Sequence, residues 1–191
     1  MRWLPFVVLL VLLAVAVRHD VRSRRIPNQL ILAGMILAGV LQLALPRGAG
    51  LFVEPFGSIG ILWSVAGFGL GLALLLPMYA LRALGAGDVK LLAMIGAFVG
   101  PAPIFGIALC TLLIGGVLAL GVALSQGTLK RVLNNSKHLI MSSVFGVLGG
   151  QSPAMDAPTE PSGKLPYAIA LACGTLPYLA YAAVHGESLF A

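Results

Sequence analysis

At 191 residues the chain is about one domain long. Its 59% hydrophobic and 9% charged residues, with mean hydropathy +1.01, exclude a soluble globular protein, a disordered chain and a disulfide-stapled module, since soluble domains carry about 25% charged residues. The net charge of +6 fits basic residues gathered at one end of membrane spans better than a nucleic-acid partner.

A membrane-crossing helix needs about 20 mostly apolar residues, fewer when its flanks help. Stretches 3–17, 30–45, 58–81, 89–100, 103–124 and 166–184 meet or approach that need. They predict an all-α fold, a polytopic bundle of about six membrane helices. Gly100-Pro101-Ala102-Pro103 separates the fourth from the fifth; reading these two as one leaves five spans. Ala14-Val15-Ala16 resembles a signal-peptide cleavage site. The arginines at 18, 22, 24 and 25 oppose translocation of the chain beyond them, so the first span is expected to be retained. Arg82 and Lys90 flank the connection between spans three and four, and Lys130, Arg131, Lys137 and Lys164 lie between five and six. Only Arg2 and Arg47 fall on the other side. The positive-inside rule then puts both termini outside and these three loops in the cytoplasm of a multi-pass inner-membrane protein.

The chain reads as one membrane-embedded domain, 1–191, with 125–165 as a cytoplasmic insertion. The first half of that insertion has apolar residues near helical spacing and predicts an amphipathic helix on the lipid surface. The second half, with Pro153, Pro158 and Pro161, predicts a loop. Gly67, Gly69, Gly71, Gly96 and Gly100 suit close helix packing. Cys110 and Cys173 lie in apolar runs without a C-x-x-C spacing and read as packing residues.

Acidic residues in or beside membrane spans are costly and point to function. Of the six, Glu54, Asp156, Glu160 and Glu187 fall in loops or the tail and read as solvated carboxylates. Asp20 follows span one and Asp88 begins span four, on the same predicted side of the membrane. Two carboxylates held close share a proton and titrate in separated steps. Such a pair suits amide hydrolysis, with one ionised acid taking a proton from water and the other, protonated, bonding the scissile carbonyl. Structural roles also fit: Asp88 as a helix cap, Asp20 as an ion-pair partner of Arg22 or Arg24.

Gly85 and Gly87, just before Asp88, free the backbone to approach an unwound substrate chain. Lys90 either tunes the pair or snorkels to the interface. Pro27 and Asn28 start the second helix, where proline suits the first turn. The arginines of Asp20-Val21-Arg22-Ser23-Arg24-Arg25-Ile26-Pro27-Asn28 set topology, with contacts to lipid phosphates or a substrate flank as a further role.

This segment, together with Gly85-Ala86-Gly87-Asp88-Val89-Lys90, resembles the type IV prepilin peptidases, aspartic proteases of the GxGD class at the membrane edge. Lys164-Leu165-Pro166-Tyr167-Ala168-Ile169-Ala170 is similar to the family's segment leading into its last helix. The resemblance implies cleavage of the short basic leader from prepilins or pilin-like proteins on the cytoplasmic side, in support of pilus assembly or secretion. It implies Asp20 and Asp88 as the catalytic pair and Gly85 and Gly87 as active-site backbone. Arg22, Pro27, Asn28, Lys90 and Pro166 are the supporting residues. No metal or organic cofactor and no nucleic-acid partner is implied; prepilin, membrane lipid and other pilus or secretion components are the expected partners. Larger members carry a long loop near the first span, with paired C-x-x-C motifs, associated with N-methylation. This chain has about a dozen residues there and no cysteine, which argues against methyltransferase activity and makes it more similar to Flp-type, tight-adherence peptidases.

Neither H-E-x-x-H nor G-x-S-G occurs. His19, His138 and His185 read as structural or interfacial, with His19 best placed to modulate Asp20. A proton-coupled transporter would set its acid near the bilayer midplane, and a pilus-assembly scaffold would need no second aspartate beside glycines. Both remain alternatives to the protease.

Overall fold

The computed structural model describes residues 4–52, 55–80, 84–125, 127 and 167–185. Among these the chain is all helical: α1 (Leu4–Ser23), α2 (Asn28–Ala44), α3 (Ile61–Ala80), α4 (Ala86–Val99), α5 (Pro101–Ser125) and α6 (Tyr167–His185). By length and apolar composition α1, α3 and α5 suffice to cross a membrane. Helix α2 and the stretch Tyr167–Ala182 of α6 are apolar but shorter. Helix α4 has 14 residues, a length of about 21 Å against a hydrocarbon core of about 30 Å. The chain is thus a helical membrane protein.

The chain divides into two compact units, 1–115 with 166–191 and 116–165. In the second, residues 116–125 form the last turns of α5. The predicted amphipathic helix and proline-rich loop lie outside the described residues.

Helix α4 is the centre of the first unit. From Leu91 to Gly100 every residue is buried, as expected of a helix apolar all round. Asn28 bonds Lys90 at one end of α2 and Gln42 bonds Phe98 at the other, so α2 and α4 run parallel. Helix α3 runs antiparallel to α4: Gly67 lies against Gly96, and Gly71 against Leu92 and Ala93. A Cβ on Gly67 or Gly96 would strike the carbonyl of the other, so the two backbones meet directly, as small residues allow. The predicted packing role holds for Gly67, Gly71, Gly96 and Gly100. It fails for Gly69, whose Cβ position faces open space, because it sits on the other face of α3.

Buried Gln42 has both ends of its amide satisfied. It donates to the Phe98 carbonyl at 3.3 Å and accepts from Ser58 Oγ and the Ile59 amide, each at 3.0 Å. Ser64 Oγ donates to Ala97 O at 2.7 Å. These bonds fasten the 45–60 connection to the α2, α3 and α4 ends farthest from Asp88, and they satisfy polar groups that lipid would not.

The predicted break after span four is a one-residue corner. Gly100, at φ 85°, donates its N–H to Gly96 O, and Pro101 starts α5. Glycine tolerates that φ and proline suits a first helical turn, so α5 begins two residues before the expected boundary. Cys110 is half-buried as expected of a packing residue, but Cys173 is exposed on α6. Helical periodicity gives a lipid-facing and a core-facing cysteine equally apolar neighbours, so sequence alone did not separate them.

Candidate active site

The first helix does not end where its apolar run ends. It continues to Ser23, whose hydroxyl donates to His19 O at 2.8 Å. Arg24, at φ 52°, closes the turn by donating its N–H to Asp20 O at 2.9 Å. Asp20 therefore lies on the last turn of α1, not in a loop beyond it, and is only 8% exposed. Its Oδ2 accepts the Ala168 N–H at 3.0 Å, a bond across 148 residues to the first turn of α6. Arg22 and His19 are exposed. Adjacent helical residues point about 100° apart, which carries His19 away from the face of Asp20.

Asp88 is half-buried at the third position of α4, ahead of its apolar run. Its Oδ2 accepts the Gly85 N–H at 3.2 Å, so the capping role is present. It is the acid half of a capping box; Gly85 has no side chain to return the bond. Burial first, and then the Asp20 charge, push the Asp88 carboxyl up to about 6, against the Gly85 hydrogen bond that lowers it. The charge of Asp20 thus reaches Asp88, although 68 residues separate them in the chain.

The glycines make room within the chain. A Cβ on Gly85 would lie 3.2 Å from Asp88 Oδ2, and one on Gly87 would lie 3.3 Å from Ile26 Cβ. Gly85 leaves space for the carboxylate and Gly87 for the isoleucine of Ile26-Pro27-Asn28. Substrate approach was the expected reason for both; intrachain contacts account for them first. Pro27 is the residue before α2, with φ −62° and ψ 132°, and Asn28 is the first helical residue. Lys90 Nζ donates to Asn28 Oδ1 at 3.0 Å. The two motifs are therefore clasped together at the starts of α2 and α4.

Pro166 lies outside the described residues. Next to it, Tyr167 and the Ala168 amide belong to the same cluster, and the side-chain reading missed both. Ala168 acts through its main chain, which no residue type announces. The charge of Asp88 reaches the Tyr167 hydroxyl. Among the described residues no group of three or more His, Cys, Asp or Glu side chains is arranged to hold a metal ion.

A model of the type IV leader peptidase family matches residues 7–120, a span that includes both aspartates. The chain belongs to this family. As a leader peptidase it is a protease and a hydrolase. No curated protein and no solved structure matches the peptidase.

Proposed function

We propose that this peptidase is an aspartic endopeptidase that removes the basic leader from a prepilin or pilin-like protein, with Asp20 and Asp88 as its catalytic pair. The observation that carries the reading is a half-buried Asp88 on α4 within electrostatic reach of Asp20 on α1: burial first, and the Asp20 charge second, raise its carboxyl to about 6. Groups whose environments set them apart in this way divide acid and base roles.

In the proposed mechanism Asp88 keeps the shared proton and donates a hydrogen bond to the scissile carbonyl. Asp20, oriented by the Ala168 amide, takes a proton from the attacking water. The oxygen adds to the carbonyl carbon, and the proton then passes to the leaving nitrogen as the C–N bond breaks. The site lies at helix ends rather than at their middles, which suits cutting just before an apolar segment. The arginines at and just after the end of α1, with the other basic loops, favour a cytoplasmic position for this end. The short, cysteine-free link between α1 and α2 favours a Flp-type substrate and cleavage without methylation. Pilus assembly or secretion is the process that such cleavage serves.

Co-expression with a Flp-type prepilin, read by a gel shift, tests this. Asp20→Asn and Asp88→Asn each keep size and hydrogen bonding but remove the titrating acid, and each is expected to cut cleavage about 10²–10⁴-fold at normal membrane levels. Glu54→Gln and Glu160→Gln leave it intact. Normal cleavage by either Asp variant removes the assigned pair. No cleavage by wild type returns the weight to a scaffold or a transporter.

A further inference from the structure

Tyr167 opens α6, one position before the amide that holds Asp20. Its phenol oxygen is buried and has no hydrogen-bond partner among the described residues. The ring rests against Gly115 of α5, where a Cβ would lie 2.7 Å from Cε2 and 3.3 Å from the hydroxyl. Glycine there makes the seat that the ring occupies. Leaving a buried hydroxyl unpaired costs about 1–3 kcal/mol, and phenylalanine would fill the seat without that cost. The hydroxyl is therefore a donor that no described residue accepts, placed to serve an acceptor entering the cluster.

Two of the neighbouring main-chain donors are already committed. The Gly85 N–H goes to Asp88 and the Ala168 N–H goes to Asp20. A peptide unwound for cleavage brings carbonyls that have lost their helical partners and need donors. Resting on the aspartic peptidase reading above, we propose that the Tyr167 hydroxyl is a catalytic-site donor to a backbone carbonyl of the unwound substrate segment lying across Asp20 and Asp88.

The test is Tyr167→Phe in the full chain, which removes one oxygen. Leader cleavage is expected to fall about tenfold in kcat/KM, a size typical of one lost hydrogen bond. The melting temperature in detergent holds or rises, and the pH profile of kcat stays in place. Unchanged kcat/KM overturns the proposal. A displaced pH profile also overturns it, since the hydroxyl then acts on Asp88 and not on substrate.

A second arm does not depend on turnover. A peptide of a basic leader followed by the first residues of an apolar pilin helix is titrated onto Asp88→Asn protein, with and without Tyr167→Phe. About tenfold weaker binding in the double variant is expected. Equal affinity, or no binding to either, overturns the proposal. Failure of the peptidase reading shows itself separately, as wild-type cleavage that is absent or survives Asp20→Asn and Asp88→Asn.

Discussion

Asp88 carries a titration that can be read without any substrate. Its carboxyl is raised to about 6 in the folded protein, against about 3.9 for an ordinary aspartate. Between these values the unfolded chain releases the proton before the folded chain does. The folded state then binds more protons, so stability falls as pH rises through this window and levels off above it. The melting temperature of wild type, compared with Asp88→Asn, should decline from about pH 4 to about pH 6 and then run flat. A pH-independent difference would mean that Asp88 titrates as an exposed aspartate. Gly85 offers a second test at the same scale. Its φ of −80° suits any residue, so Gly85→Ala should fold normally. The new methyl group would press on Asp88 Oδ2 and displace the carboxylate, costing activity up to about 10²-fold. Full activity in Gly85→Ala would show that the space beside Asp88 has no catalytic consequence.

Among the elements, the contact of α3 with α4 has the least tolerance. Gly67 and Gly96 bring backbone against backbone, and no side-chain rearrangement can accept a larger group there. Gly96→Leu should force the helices apart and lower the melting temperature in detergent, with a cost of at least about 1–3 kcal/mol. Gly69→Leu, facing open space, should change it little. Equal effects from the two substitutions would contradict the packing described. The sequence made these glycines visible as a group, but composition does not tell which face of α3 turns inward. Helix existence was legible from apolar runs, and the corner at Gly100 was legible from its prolines. The extension of α1 to Ser23 was not, because the apolar run ends at Val17 while the helix continues through polar and charged residues to Ser23, where the Ser23 and Arg24 hydrogen bonds close it.

For the whole molecule, the two aspartates could be found by elimination, since so few acids occur in a chain this apolar. Their proximity could not, because it depends on how α2 and α6, each packed on both α1 and α4, bring the ends of those two helices together. The Asn28–Lys90 clasp has the same origin: each residue stood out within its own motif, and only the parallel run of α2 and α4 brings them into contact. The amide of Ala168 was invisible for a stronger reason, since every residue but proline carries the same group.

That amide also sets an order in time. Synthesis delivers Asp20 first, then Asp88, and the Ala168 N–H last, once α1 to α5 are already made. A partly made chain holds both carboxylates but lacks the group that orients one of them. In the proposed peptidase, proteolytic competence therefore arrives only when α6 is seated. Until then its own unassembled helices, and those of other nascent chains nearby, are not exposed to a finished protease.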